Sequence, residues 1–219
     1  MGSLAQVQVD RGLPRGRARM PAEVVGAAHR SRLLRAVVGA VADRGYANVR
    51  IADIVDRARV SRQSFYTQFD GKEECFLAAH ADGIAVLLAE FGAQIAGAEM
   101  PVAQLAGGID TYFALAEREP EFARCMLIEL PAISPAGLAA HLDAHAQVAA
   151  LLAAWHAAAR TAAGPAERWP AVPTSRYAAV VGAVHDLVFE LVADQDRPRE
   201  RPPAEDALDA ALVLLEIPR

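Results

Sequence analysis

Within Arg62-Gln63-Ser64-Phe65-Tyr66-Thr67 the polar side chains fall on one side of a helix and the ring of Phe65 on the other. At about 100° per residue, Gln63, Ser64, Tyr66 and Thr67 point away from Phe65 and Phe69, which stand i, i+4. The outward set is uncharged and short-armed, with Arg62 at its N-terminal shoulder. Such side chains can hydrogen-bond base edges and phosphates from a helix lying in a major groove.

Other residues with chemical reach form no comparable group. His141 and His145 are i, i+4, and two imidazoles on one helical face can bind a metal. No third ligand stands at a telling spacing, so no metal site is expected and the pair reads as two polar residues on an amphipathic helix. His156 and His185 have apolar neighbours and read as core. Adjacency of His185 and Asp186 makes no catalytic dyad, Ser134 and Ser175 lack the elbow of a nucleophile, and Gly107-Gly108 is no phosphate loop. The chain is therefore expected not to be an enzyme and to use no cofactor.

The polar face has to be held by its neighbours. Ile51, Ile54, Val55 and Ala58 lie at i, i+3, i+4 and i+7, one apolar helical face. Arg59-Val60 is long enough only for a turn. Ser61 stands where an N-cap belongs, and Val60 and Phe65 bracket it with the spacing of a hydrophobic staple. Upstream, Pro21 suits the first position of a helix running to about Arg44, with Leu33, Leu34, Val37, Val38 and Val41 as its stripe and Gly45 as its C-cap. Tyr46 to Val49 links it to the helix pair, completing a three-helix head.

Gly45-Tyr46, Ile51-x-x-Ile54, Ala58-x-Val60-Ser61 and Phe65-Tyr66-x-x-Phe69-x-x-Lys72-Glu73 resemble the DNA-binding signature of the tetracycline repressor (TetR) family, over about residues 30 to 80. A hairpin packed for stability alone has no need of the polar outer face. Two positions depart from the family pattern: Arg59 stands where glycine is usual in the turn, and Arg50 where threonine is frequent. If the turn needs a positive φ, Arg59 carries strain of about 1–2 kcal/mol. The resemblance implies DNA contacts from Arg50, Arg62, Gln63, Ser64, Tyr66 and Thr67, a phosphate contact from Lys72, a fourth helix joining head to body, a ligand pocket among the fourth to eighth helices, and a homodimer.

Composition agrees with an all-α chain. Of 219 residues, 53% are hydrophobic but only 6% aromatic, and alanine supplies much of the apolar content. No run of about 18 strictly apolar residues and no opening signal peptide is seen, so a soluble cytoplasmic protein without a membrane partner is expected. Cys75 and Cys125 have no metal spacing and read as free buried thiols rather than a redox pair. The net charge of −5 hides a split: residues 1–72 carry 13 Lys and Arg against 6 Asp and Glu, while residues 73–219 carry 9 against 21. A basic third on an acidic body suits a nucleic-acid reader with a second module. The expected organisation is a flexible basic arm over 1–20 with Arg11, Arg15, Arg17 and Arg19, a helix-turn-helix domain over 21–71, and a helical ligand-binding and dimerisation domain over 72–219. The arm reads equally as a phosphate or minor-groove contact and as a solvated tail.

Prolines punctuate the body. Lys72 to about Met100 reads as one long helix, which Gly83, Gly92 and Gly97 would allow to kink. Pro101 opens a helix to about Glu119, Pro120 a short one to Leu130 where Pro131 breaks it, and Ser134-Pro135 one to about Ala163. Thr174 caps a helix to about Ala193, and Ala204 begins the last, to about Leu215, for nine in all. Large apolar residues among alanines either pack tightly or leave a cavity. The residues alone favour core; the resemblance implies a pocket, for which Met100, Ile109, Tyr112, Phe113, Phe122, Met126 and Trp155 are the lining candidates. Asp110, Glu129 and His156 are the polar groups that could orient a ligand. The stripe of Tyr177, Val180, Val181, Val184, Leu187, Val188 and Leu191, with Leu208, Ala211, Leu212 and Leu215, offers two helices to a symmetric partner.

The reading that follows is a homodimeric transcriptional repressor on an inverted-repeat operator in double-stranded DNA, released by a small, largely apolar effector. The alternative is a ligand-binding or assembly protein of the same fold that no longer binds DNA, for which Arg59 is the best support.

Overall fold

The computed structural model describes residues 22–97, 100–162, 169–194 and 201–218. The basic arm, Pro21 and parts of the loops after residues 162 and 194 lie outside the described residues. Among those described there is no strand: the chain is all-α. The head comprises α1 (Ala22–Arg44), a 3-10 turn Tyr46–Asn48, α2 (Ile51–Ala58) and α3 (Arg62–Tyr66). The body comprises α4 (Lys72–Gly97), α5 (Pro101–Arg118), α6 (Pro120–Arg124), a π turn Cys125–Glu129, α7 (Leu130–Ile133), α8 (Pro135–Ala162), α9 (Thr174–Ala193) and α10 (Pro203–Leu214).

The head forms as its apolar spacing dictates. Leu33, Leu34, Val37, Val38 and Val41 of α1 are buried against Ile54, Val55, Ala58, Phe65 and Phe69. The same core takes in Cys75, Phe76 and Ala79 of α4 and Cys125, Met126 and Leu130 of the body, so apolar packing runs on across residue 71. Gly45 needs its freedom: at φ 74° and ψ 147° it turns the chain after α1 at no cost in Cβ clashes. α3 ends at Tyr66, and the Thr67 hydroxyl that follows donates to the Ser64 carbonyl at 2.8 Å.

One expectation about the body is corrected. Pro131 does not break its helix. The proline ring would collide with the carbonyl four residues back, and the π turn just before it widens the backbone, with the Leu130 N–H donating to the Cys125 carbonyl. α6, the π turn and α7 therefore run on as one rod. α4 is one helix over Lys72–Gly97, with Gly83 and Gly92 inside it. A Cβ at Gly83 would run into the ring of Phe122, so this glycine seats the body's aromatic side chain against α4. By length and hydropathy Lys72–Gln94 could also cross a membrane; in this fold its Cys75, Phe76, Ala79 and Leu87 are buried in the protein.

The stripe expected to meet a partner is spent inside the chain. Tyr177, Val180, Val184 and Val188 of α9 are buried with Ala211, Leu212 and Leu215 against α5 and Trp155 of α8, while Val181 is buried at the cavity. The large apolar side chains left exposed on these helices are Leu138 and Leu142 of α8, Phe189 of α9 and Val213 of α10.

Candidate nucleic-acid interface and ligand cavity

The turn before α3 is set residue by residue. Arg59 ends α2 in the left-handed region at φ 53° and ψ 47°, the conformation for which glycine is usual. Ser61 is in extended backbone, and its hydroxyl accepts the Ser64 N–H at 3.0 Å, the N-cap its position implied. Phe65 and Phe69 are buried, which fixes the rotation of α3. Arg62, Gln63, Tyr66 and Thr67 are consequently exposed and Ser64 half-buried.

These side chains are not equally free. The Arg62 guanidinium leans over the Tyr66 ring, 5.8 Å from its centroid, so the two present one surface. Ser64 Oγ lies 2.9 Å from Ser61 Oγ. Thr67 has given its only hydroxyl proton to the backbone and keeps a methyl group and an acceptor for a ligand. Arg50, at the start of α2, has a side chain 85% exposed. Its backbone N–H donates to Asp53 at 2.8 Å. That bond first, and Arg44 after it, hold the Asp53 carboxyl below its ordinary range.

Lys72 sits differently from the sequence reading. Its Nζ donates to the carbonyls of Tyr46 at 2.7 Å and Val49 at 2.8 Å and lies 3.9 Å from the centroid of the Tyr46 ring. Partial burial lowers its pKa. Two of its three donors are thus engaged in tying the start of α4 to the 46–49 turn, and one remains for a phosphate.

Behind the head, α4, α5, α8 and α9 line a half-open apolar cavity of about 110 Å³. Ile84, Leu87 and Phe91 wall it from α4, Leu105, Ile109 and Tyr112 from α5, Val148, Leu151 and Trp155 from α8, and Val180 and Val184 from α9. A smaller space of about 60 Å³ adjoins it, lined among others by Tyr112, Phe122 and Met126. Of the seven residues expected to line a pocket, Met100 does not: it is 68% exposed at the start of α5. Phe113 faces the buried core rather than either space. The polar candidates are corrected as well. Asp110 is exposed, Glu129 accepts the Tyr46 N–H at 3.0 Å, and His156 lies apart, bonded through Nδ1 to the Tyr177 hydroxyl at 2.9 Å and stacked on Trp169. His156 Nε2 is buried with no partner among the described residues.

The polar groups that do reach the main cavity are Gln104, Tyr112, His145 and His185. Gln104 also accepts from Trp155 Nε1 at 2.8 Å, fixing the indole. Sequence reading missed Gln104 and the histidines, because a helical residue's partners come from elements whose pairing the periodicity does not give. Cys75 and Cys125 are fully buried, each pushed up to about 12 by burial, and are inert free thiols.

Residues 33–79 match the family model of bacterial regulatory proteins, tetR family. None of the curated proteins compared matches the chain. Among solved structures, the fatty acid degradation regulator FadR from Bacillus halodurans is similar at TM-score 0.73 and 14% identity, over 85% of this chain and 94% of that one. FadR from Bacillus subtilis in complex with stearoyl-CoA aligns at TM-score 0.71 and 14% identity, over 84% and 96%. Thermus thermophilus FadR, a TetR-family transcriptional repressor in complex with lauroyl-CoA, aligns at TM-score 0.61 and 22% identity, over 85% and 93%. Signature, head geometry and fold agree: residues 33–79 form a helix-turn-helix head of the tetR family type, and the chain as a whole has the all-α fold of these regulators.

Proposed function

We propose that the protein is a homodimeric repressor that holds an inverted-repeat operator and releases it when a small, largely apolar ligand enters the body. The observation that carries this reading is the apolar cavity walled by α4, the helix that begins at the head. Arg62, Gln63, Ser64, Tyr66 and Thr67 meet base edges and nearby phosphates. Arg50 and the free donor of Lys72 meet phosphate, and Ile109, Tyr112, Phe122, Met126 and Trp155 meet the ligand. One recognition helix reads too few base pairs for a specific site, so two copies act together. The exposed Phe189 and Val213, with Leu138 and Leu142, supply the apolar surface for pairing.

At about 110 Å³ the cavity is smaller than a site that holds benzene, for which about 150 Å³ is a reference. A longer ligand that is taken wholly inside parts α4 from α8 and α9, and that displacement moves the recognition helix. The acyl-CoA complexes of the FadR structures make an acyl chain the first ligand to try. A regulator needs no turnover, and the site contains no nucleophile–base pair. The protein acts where its DNA is, in the cytoplasm.

The test is selection of bound duplexes from random DNA, followed by binding to the selected sequence with and without lauroyl-CoA. An inverted repeat, bound in a salt-sensitive way and released by the ligand, is expected. Failure to select any duplex, with ligand binding intact, would favour a ligand-binding protein that has lost its DNA function.

A further inference from the structure

α8 carries His141 and His145 one helical turn apart, and α9 brings His185 against both. Ring centroids are 4.5 Å apart for His141 and His145, 5.1 Å for His141 and His185, and 4.5 Å for His145 and His185. One nitrogen from each ring lies within 4.8 Å of the other two. His145 Nε2 and His185 Nδ1 are 3.1 Å apart. Two zinc–imidazole bonds of ~2.0–2.1 Å at a tetrahedral angle separate their nitrogens by about 3.3 Å. This pair therefore already stands at nearly the spacing of two ligands on one ion. A hydrogen bond between two neutral imidazoles accounts for the His145–His185 contact but not for the third ring converging on it.

We propose that His141, His145 and His185 form a binding site for one divalent transition-metal ion of the zinc type, with a fourth coordination position open to the body cavities. An all-imidazole set suits zinc, nickel, cobalt or copper rather than magnesium or calcium, which take oxygen ligands. His145 and His185 line the main cavity, and all three line the smaller one together with His80. The open position therefore faces space in which water, His80 or a donor atom of the ligand can complete the coordination. The site needs neither DNA nor an effector.

The experiment uses the untagged full-length protein, stripped with chelator and titrated with Co(II). Visible d–d absorption of low-symmetry Co(II), saturating near one ion per chain and bleached by Zn(II), is the expected result. Zn(II) should also raise the melting temperature. His145→Gln and His185→Gln should weaken Co(II) binding by more than about tenfold, whereas His29→Gln on α1 should not. Helical circular dichroism checks that each variant folds; if one does not, the wild-type spectrum and the Zn(II) shift decide alone. Absence of the Co(II) bands, or binding that survives His185→Gln unchanged in a folded protein, would overturn the assignment.

Discussion

Glu129 accepts the backbone N–H of Tyr46 at 3.0 Å, across 83 positions of sequence. The carbonyl of the same Tyr46 takes the Lys72 ammonium. The turn that leads into the helix-turn-helix is thus gripped by the π turn of the body on one side and by the start of α4 on the other. Ser134 adds a third tie, donating to Glu73 at 2.6 Å. A ligand that displaces α4 or the π turn has the Glu129 and Lys72 bonds to the 46–49 turn through which to move the head, while the Ser134–Glu73 bond holds α4 to the segment after α7 within the body. Glu129→Ala should leave the affinity of free protein for ligand unchanged and reduce the ligand's effect on operator binding. Its stability should fall by about 1–3 kcal/mol for the unpaired N–H. Glu129→Gln retains an acceptor and should behave more like the parent. Undiminished coupling in a folded Glu129→Ala variant would exclude this route.

The interface itself separates reading from holding. If Gln63 bonds a base edge, Gln63→Ala should change discrimination among operator sequences by about 1–3 kcal/mol. Lys72→Ala should weaken all sequences alike, and because it also releases two carbonyls at the 46–49 turn it should lower stability. Binding isotherms over a salt series check both. If Lys72 touches a phosphate, its removal lowers the salt slope by about one, whereas an unchanged slope with weaker binding makes Lys72 a positioning residue only.

Arg59 holds φ 53° without the freedom of glycine. Arg59→Gly should relieve part of the ~1–2 kcal/mol of strain, offset by glycine's greater entropy in the unfolded chain. A chemical denaturation midpoint moved upward is the expected reading, and one moved downward contradicts it. A stabilised variant that binds DNA less well would make Arg59 a phosphate contact too.

Histidine burial gives a pH dependence of definite sign. His80 and His185 are each held down to about 4, chiefly by burial; His141 adds to the effect at His80 and Asp143 opposes it, while His145 and His141 add to it at His185. The unfolded chain takes up these protons near 6.5, the folded one only near 4, so their contribution is whole above about pH 6.5 and is lost as pH falls toward 4. In chelator, the melting temperature of the parent should drop across that window by more than those of His80→Gln and His185→Gln. Parallel curves would mean that these rings carry no such linkage.

Much of the head was legible because its signals are local. Ser61 caps, Val60 and Phe65 pack in one core, and Gly45 and Arg59 take positive φ, all within a few residues of the pattern that announced them. The body was less so. Its helix positions could be read from proline and periodicity, but Phe113, Met100 and Asp110 look like cavity residues only until the phase of α5 against α9 is known. The α9 stripe reads the same whether it meets α10 within the chain or a second copy. His185 joins His141 and His145 through helix pairing across 40 positions, a relation no spacing rule contains.

Ligand and operator should oppose one another through the fold, and this opposition can be measured from either side. Trp155 lines the cavity and Trp169 stacks near it, so tryptophan fluorescence can report ligand binding directly. The decisive measurement is the affinity of lauroyl-CoA, and of shorter apolar ligands that fill the cavity, for the protein alone and for the protein saturated with its selected operator. Linkage requires operator to weaken ligand binding by the factor by which ligand weakens operator binding, about 5–150-fold for coupling of ordinary size. Matching factors in that range are predicted. Equal affinities with and without operator, for every ligand that enters the cavity, would contradict such a switch even if the protein binds its DNA tightly.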